Sequence, residues 1–177
     1  MLKLEGFKWA TTLDLNMGYY HVEICPTSRK YCTIVLPWGK YEYQKLPMGL
    51  CNSPDICQEK MSEVFQDFDF VREYIDDLLV TSSDTFEDHL DKLDKVLARL
   101  QHVGLKVNAK KSSFGAHEVE YLGYLISRTG IKPQPKKNRA IYNMAIPKTK
   151  HQLCHFIGLV NFYRDIAIRR SKILAPL

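Results

Sequence analysis

The chain has 177 residues, 45% of them hydrophobic and 25% charged, and its formal net charge is +5. This length and composition are typical of a folded domain with its own core. No apolar run is long enough to cross a bilayer, and the first eight residues show neither the apolar segment nor the cleavage site of a secretory signal. The sequence therefore argues against a membrane or secreted protein and predicts an intracellular one.

The first half of the chain predicts strands around turn signals. Residues 11–15, Thr-Thr-Leu-Asp-Leu, predict a short strand. Residues 30–36 and 40–46 are rich in β-branched and aromatic residues and flank a Pro-Trp-Gly turn, which is typical of a hairpin. Residues 70–81 predict two more strands that meet at an acidic pair.

Two helices are predicted among these strands. Ser53 is placed to cap the first helix, with Pro54 at the first helical position and an end near Phe65. Asp84 is placed to open the second, with Glu87 at the capping-box position and a glycine at its end. The apolar residues expected on the inner faces are Ile56, Met61, Val64 and Phe65 in the first helix, and Phe86, Leu90, Leu93, Leu97 and Leu100 in the second.

The last third alternates short strands and helices. Strands are predicted at Leu105–Asn108, Val119–Ser127 and around Gly130–Lys132. Residues 135–144 predict a helix, and Thr149 with Gln152 forms a capping box that starts another. The apolar face of this last helix holds Leu153, Phe156, Ile157, Val160 and Tyr163. The element order predicts an α+β fold in which helices pack on one face of an antiparallel sheet, with a main domain at 1–132 and a helical appendage at 133–177.

Charge is distributed unevenly along the chain. Residues 1–54 carry six Lys and Arg against four acids, residues 55–94 carry three against thirteen, and residues 95–177 carry sixteen against three. A charge run is often only a solvated face, which would account for the acidic stretch. The basic stretch is interspersed with tyrosines, and this combination favours binding to a polyanion.

The cysteines favour reduced thiols over a disulfide framework or a metal site. There are five of them, no two have CxxC spacing, and we expect most to be buried in an intracellular protein. His151, Cys154 and His155 are the nearest approach to a ligand cluster. Because the glutamate of a zincin helix is missing there, an ordinary helix face is the better interpretation.

Three carboxylates stand out from their apolar surroundings. Asp76 and Asp77 lie within an otherwise apolar β-rich stretch, and Asp14 ends a separate apolar strand. Charges in such places are costly unless they are paired, solvated or bound to a metal. An acidic hairpin turn facing water would account for Asp76 and Asp77 alone. If the strands are neighbours, the three side chains converge at one edge of the sheet and suit Mg²⁺.

Several segments around these carboxylates resemble the motifs of reverse transcriptases, above all those of gypsy-type long-terminal-repeat retrotransposons. Residues 74–77, Tyr-Ile-Asp-Asp, match the Tyr-x-Asp-Asp box, and residues 13–20 are similar to the first carboxylate motif. Further family-like segments follow in the expected order at residues 46–54, 104–111, 120–124 and 156–164. The resemblance covers nearly the whole chain and implies a polymerase palm.

The resemblance also implies roles for individual residues. Asp14, Asp76 and Asp77 would hold two Mg²⁺ ions, with Mn²⁺ as the alternative, and the backbone carbonyl of Leu15 would add a further oxygen. Lys111 would protonate the leaving pyrophosphate. Tyr19, Met48 and Gly49 would contact the incoming nucleotide, and Leu122, Gly123 and Tyr124 would contact the primer. A core aromatic is the alternative for Tyr19 and the favoured interpretation of Tyr20, and a surface cation is the alternative for Lys111.

The function implied is RNA-directed DNA synthesis on an RNA or DNA template with a primer and a deoxynucleoside triphosphate. Since the chain starts just before Asp14, we expect the fingers segment that clasps the triphosphate to lie outside it, as would the RNase H and integrase domains of a polyprotein. The chain alone is then expected to be a poor polymerase, cytoplasmic or particle-associated. The alternative is an inactive retroelement fragment that acts at most as a nucleic-acid-binding module.

Overall fold

The computed structural model describes residues 6–163, together with Lys172 and Ala175. The fold is α+β, as predicted, and the chain divides into one compact unit at Phe7–His117 and a second that contains the described residues from Glu118 onward. The division at 132/133 drawn from the sequence stays a prediction. Arg164, which ends the last family-like segment, and most of the predicted appendage after it lie outside the described residues.

The first unit contains six strands and two helices. The strands are β1 (Trp9–Asp14), β2 (Thr33–Leu36), β3 (Gly39–Glu42), β4 (Val71–Tyr74), β5 (Asp77–Ser82) and β6 (Ser113–Ala116). The helices are α1 (Ser53–Phe65) and α2 (Phe86–Val103). Two short 3₁₀ helices lie at Gly18–His21 and Pro26–Cys32. The second takes up the residues that were predicted to begin the first hairpin, so β2 starts three residues later than expected.

A four-stranded antiparallel sheet in the order β4-β5-β1-β6 organises this unit. The predicted strand at 11–15 and the acidic hairpin are both confirmed. The predicted strand at Leu105–Asn108 is wrong, because the segment forms only a single bridge between Val107 and Leu15. Strand β6 was not predicted, since Ser-Phe-Gly-Ala lacks a β pattern and is held by pairing with β1.

Both helices pack on one face of the sheet. Leu13 of β1 and two alternate residues of β5, Leu78 and Val80, point to that face. They lie in one apolar cluster with side chains from both helices. The helix residues in the cluster are Cys57, Met61 and Phe65 from α1, and Leu93, Val96 and Leu100 from α2. The predicted faces are therefore only partly right. Ile56 is exposed and Val64 half-buried in α1, and Phe86, Leu90 and Leu97 are exposed in α2, where His89 and Val96 are buried instead.

The helix starts also differ from the prediction. Asn52 occupies the N-cap of α1, while Ser53 is buried and donates a hydrogen bond to the carbonyl of Pro47. In α2 the cap is Thr85, not Asp84, and its hydroxyl accepts from the backbone N–H of Asp88. The predicted glycine end is confirmed, because Gly104 takes a φ of 77° there.

The second unit is a three-stranded antiparallel meander followed by two helices. It consists of β7 (Glu118–Tyr121), β8 (Tyr124–Ser127), β9 (Gly130–Pro133), α3 (Pro135–Tyr142) and α4 (Lys150–Phe162). Helix α3 ends two residues before the predicted Met144. Thr149 caps α4 as predicted and accepts from the N–H of Gln152, whose side chain in turn accepts from the N–H of Lys148. Tyr163 is buried, and the predicted apolar face of α4 is half-buried.

The prediction that most of the cysteines are buried is wrong. All five are free thiols, but Cys57 alone among them is buried and Cys25, Cys51 and Cys154 are exposed. Within the described part of the chain, no helix is long and apolar enough to span a membrane.

A buried histidine joins α2 to the sheet. The ring nitrogens of His89 lie 2.8 Å from the hydroxyl of Thr11 on β1 and 2.9 Å from that of Ser82 on β5. Burial lowers the pKa of His89 below its ordinary 6.5, and nearby Lys92 adds to this while Asp88 opposes it. The folded protein therefore favours the neutral ring.

We predict an acid-sensitive contribution of His89 to stability. As the pH falls below about 6.5, the unfolded chain takes up a proton that the folded chain resists, so the stability present above that pH is lost on acidification. His89→Gln, which does not titrate, should cost about 1–3 kcal/mol at pH 7 and flatten the fall in unfolding free energy between pH 7 and 5. Urea unfolding at each pH measures this, and His102→Gln on the exposed side of α2 is the control. Equal slopes in the wild type and His89→Gln would contradict the prediction.

Candidate active site

The predicted neighbourhood of the two acidic strands is confirmed. Asp14, the last residue of β1, is the register partner of Asp77, the first residue of β5. One residue further on, the N–H of Leu15 donates to the carbonyl of Asp76 at 2.8 Å. Backbone hydrogen bonds therefore hold Asp14 against the hairpin that carries Asp76 and Asp77.

A loop from the other side of β1 fixes Asp14 further. The N–H of Asp14 donates to the hydroxyl of Ser112 at 3.2 Å, and the carbonyl of Asp14 accepts from the N–H of Asn108 at 2.8 Å. The Ser112 hydroxyl donates in turn to the carbonyl of Asn108. Ser112 was not predicted as a site residue, because nothing local in the sequence shows that its hydroxyl reaches a strand 98 residues away.

Asp76 lies in the two-residue turn between β4 and β5, and its side chain points inward. One of its carboxylate oxygens, Oδ1, is buried and has no hydrogen-bond partner among the described residues. Gly18 lies directly against it: a Cβ at Gly18 would contact Oδ1 and lie 3.3 Å from the Asp76 Cγ. A glycine is therefore required at position 18 because the Asp76 carboxylate leaves no room for a side chain, not because of its backbone conformation. The sequence motif did not predict this contact.

Burial and neighbouring negative charge raise the proton affinity of Asp76 and Asp77. Burial raises the pKa of Asp76 above its ordinary range, and the charges of Asp14 and Asp77 raise it further. The pKa of Asp77 is raised by burial and then by Asp14. Lys111 opposes both shifts, and its ammonium lies 3.5 Å from a carboxylate oxygen of Asp14. The site thus concentrates negative charge in partly desolvated surroundings that one exposed lysine only partly offsets.

The donor set fits a divalent cation by its chemistry. Asp14, Asp76 and Asp77 supply the hard carboxylate oxygens that Mg²⁺ and Mn²⁺ prefer, and the buried Asp76 oxygen without a partner is suited to bind a cation. No group of three or more His, Cys, Asp or Glu side chains in the described ranges is arranged to hold a metal ion. The convergence of all three carboxylates, with the Leu15 carbonyl, on shared ions stays a prediction.

The two tyrosines after Gly18 lie in different surroundings. Tyr19 is half-buried against the apolar cluster, and burial, followed by the nearby Cys57 thiol and Asp76, raises the pKa of its phenol. Tyr20 is 39% exposed, so the expectation that it is a core aromatic is wrong. Because the two side chains follow one another on a tight 3₁₀ helix, they diverge, and Tyr19 is the one near Asp76.

The remaining predicted nucleotide contacts lie at the start of α1. Met48 is 56% exposed and Gly49 has a φ of 102°, so both belong to a turn that presents its surface to solvent. The turn is anchored from within by the Ser53 hydroxyl, which bonds to the carbonyl of Pro47. Their contact with a nucleotide stays a prediction.

The predicted primer-contacting segment forms the β7–β8 turn of the second unit. Leu122 and Gly123 both have positive φ values, 50° and 82°. The Tyr124 ring is buried, stacks on Phe162 and meets Tyr163 edge to face. Tyr124 is therefore a core residue of its unit, and Leu122 and Gly123 beside it are half-buried.

Comparisons with known proteins identify the family of this chain. Residues 1–126 match the family described as reverse transcriptase (RNA-dependent DNA polymerase). The chain is 35% identical to the Pol polyprotein of transposon opus and 33% identical to that of transposon gypsy, both of Drosophila melanogaster and both over 100% of this chain. It is 33% identical over 96% of its length to the Pro-Pol polyprotein of Simian foamy virus type 3.

Solved structures show the same fold. A foamy viral protease-reverse transcriptase in complex with RNA/DNA hybrid matches 96% of this chain with a TM-score of 0.86 at 29% identity. A second such structure, in complex with double-stranded DNA, matches the same share with a TM-score of 0.89 at 29% identity. The chain covers 23% and 30% of those two proteins.

The chain therefore belongs to the reverse transcriptase family of RNA-directed DNA polymerases. Within it, the likeness to opus and gypsy places the chain with the reverse transcriptases of gypsy-type long-terminal-repeat retrotransposons. The chain spans 15–18% of the length of the three polyproteins.

We predict that Gly18→Ala disturbs the site through Asp76. The added methyl group collides with the Asp76 carboxylate, so that side chain or the turn that carries it must shift, and overpacking of this kind costs about 1–3 kcal/mol. Chemical denaturation and the amide NMR signals of residues 75–77 measure the two effects. Gly158→Ala in α4, where the new Cβ meets nothing within 4 Å, is the control and should leave those signals unchanged. Unshifted signals in Gly18→Ala would contradict the prediction.

Proposed function

We propose that this chain is the palm of an RNA-directed DNA polymerase that adds deoxynucleotides to a primer 3′-hydroxyl by a two-metal mechanism. The observation that carries the proposal is the register pairing of Asp14 with Asp77, beside a buried and unpartnered carboxylate oxygen of Asp76. A cation bound between these carboxylates would offset their mutual repulsion, which otherwise raises the pKa of Asp76 and Asp77.

Asp14, Asp76 and Asp77 are the residues that would hold Mg²⁺ or Mn²⁺, with the Leu15 carbonyl as a further ligand. When bound, two such ions supply activation of the 3′-hydroxyl and charge stabilisation of the leaving pyrophosphate. Phosphoryl transfer depends mainly on positioning and electrostatics, so rigid placement of these carboxylates is what the protein contributes.

Other residues of the chain bind and orient the substrates in this proposal. Tyr19, half-buried beside Asp76, lies under the incoming sugar and excludes a 2′-hydroxyl by its bulk. Met48 and Gly49 line the nucleotide pocket from their exposed turn. Lys111 already lies beside Asp14, so its ammonium is available to hold a proton for the leaving pyrophosphate. Leu122, Gly123 and Tyr124 support the primer terminus.

The proposed partners are a primer–template, of RNA or DNA, and a deoxynucleoside triphosphate. Two of the related structures hold RNA/DNA hybrid and double-stranded DNA, and the relatives are polyproteins, so fingers, RNase H and integrase domains are expected in the same element. The basic residues after position 95 would bind the phosphate backbone, and we propose a cytoplasmic or particle-associated location.

The second candidate is a nucleic-acid-binding module without catalysis. It is favoured by the exposed cations of the second unit. Both candidates require phosphate binding, and only the first requires the carboxylates.

We predict salt-dependent binding to an RNA–DNA hybrid. Lys136→Ala with Arg139→Ala, two exposed cations of α3, should weaken binding and lower the slope of log affinity against log salt by about 1 for each phosphate that the variant no longer neutralises. Fluorescence anisotropy at rising salt measures the slope. The matched double variant, Lys40→Ala with Lys60→Ala, removes two exposed cations of the first unit and should keep it. Equal slopes in all three proteins would count against phosphate binding by Lys136 and Arg139.

We predict that Asp76→Asn abolishes Mg²⁺-dependent primer extension without unfolding the protein. Loss of an outer-shell partner of a metal ligand already costs about 10–100-fold, so loss of a ligand should cost about 100-fold or more. Since burial and its neighbours disfavour the charged form of Asp76, the amide should leave the free energy of unfolding equal or higher. Asp69→Asn, at an exposed aspartate just before β4, is the control.

The assay uses the 177-residue chain and a product extended upstream in the same reading frame. Extension by the longer wild type that Asp76→Asn removes supports the polymerase. A folded longer wild type that binds the hybrid and extends nothing supports the binding module.

A further inference from the structure

The turn that carries Asp76 is held in an unfavourable backbone conformation. Tyr74 and Asp77 are register partners, so Ile75 and Asp76 alone connect β4 to β5. Ile75 has a φ of 53°, a region that β-branched residues rarely adopt, because the branched side chain crowds the backbone. Such a conformation persists only where surrounding contacts impose it.

A side chain of helix α1 forms a hydrogen bond with this turn. The side-chain oxygen of Gln58 accepts a hydrogen bond from the N–H of Ile75 at 2.8 Å. The amide nitrogen of Gln58 faces the carbonyl of Glu73 at 3.4 Å and the hydroxyl of Ser62 at 3.2 Å. That hydroxyl donates to the carboxylate of Glu73 at 2.9 Å. The Gln58 side chain thus contacts the hairpin at two places, at Ile75 in the turn and at Glu73 on β4.

We infer that Gln58 is a positioning residue for the acidic hairpin: it holds Ile75 so that the adjacent Asp76 and Asp77 stay opposite Asp14. Neighbouring residues on α1, Cys57 and Met61, are buried in the apolar cluster, so the helix is a fixed support. Ile75 immediately precedes Asp76, so any relaxation of its φ moves that carboxylate. This inference deepens the proposed function and rests on it for the role of the carboxylates.

The hydrogen bond from Ile75 is not needed to build the core. Gln58 is only half-buried. The register of the strands beside the turn is set by backbone pairing and by the buried apolar cluster, to which Gln58 does not belong. Its loss should therefore loosen the turn while the fold remains. A residue with a merely structural role would instead change stability and leave the turn and its ligands in place.

The experiment uses the whole 177-residue chain and three variants. Gln58→Met keeps the length of the side chain and removes both polar groups, and Gln58→Glu keeps an acceptor for the Ile75 N–H. Gln66→Met, at the exposed end of the same helix, is the matched control. Amide hydrogen exchange at Ile75, followed by NMR, reports the turn, and Mn²⁺ titration reports the carboxylates, with Asp76→Asn as the reference for loss of a ligand.

We expect Gln58→Met to speed exchange at Ile75 by roughly 3- to 10-fold, the equivalent of one hydrogen bond, and to weaken Mn²⁺ binding by roughly 10-fold. Gln58→Glu should restore protection of Ile75, and Gln66→Met should match the wild type in both measurements. Unchanged exchange in Gln58→Met overturns the inference. So does faster exchange with unchanged Mn²⁺ affinity, provided that Asp76→Asn weakens binding. If Asp76→Asn binds Mn²⁺ as the wild type does, the metal role in the proposed function fails, and Ile75 exchange alone decides whether Gln58 positions the turn.

Discussion

The antiparallel pairing of β1 with β5 fixes both the apolar core and the acidic edge of the first unit. It sets Asp14 beside Asp77 and places Asp76 in the adjoining turn, so three like charges share one partly desolvated edge of the sheet. Such an arrangement opposes folding, and the raised pKa values of Asp76 and Asp77 express that cost. The same pairing buries Leu13 against Leu78 one residue away, so the apolar core and the acidic edge are consequences of one register.

Backbone strain gathers at the segments to which the family resemblance points. The non-glycine residues with positive φ in the described part of the chain are Met17, Ile75 and Leu122. Met17 precedes the glycine that touches Asp76, Ile75 precedes Asp76 itself, and Leu122 opens the turn of the second unit. Strained conformations of this kind persist where neighbouring contacts impose them, and they are commonest at functional sites. The fold thus gives up local stability next to the residues of the candidate site.

The family match and the geometry of the carboxylates are two separate findings. The family match rests on the order and identity of segments over residues 1–126, whereas the pairing of Asp14 with Asp77 is a property of the sheet. Because the chain is a small part of its polyprotein relatives, the palm supplies the acidic centre and part of the basic surface, and full polymerase activity is a property proposed for a longer product.

Local sequence patterns were enough to predict the features that depend on neighbouring residues. They predicted the strand that ends at Asp14, the acidic hairpin, the glycine end of α2 and the Thr149 cap, because turn chemistry, capping and β pattern act over a few residues. The tertiary structure alone decided which side of α2 is buried, where β6 pairs, and that Gly18, Gln58 and Ser112 support the carboxylates. Those contacts join residues 17 to 98 positions apart, and no periodicity encodes them, because they depend on how the helices and the loop after α2 come to lie against the sheet.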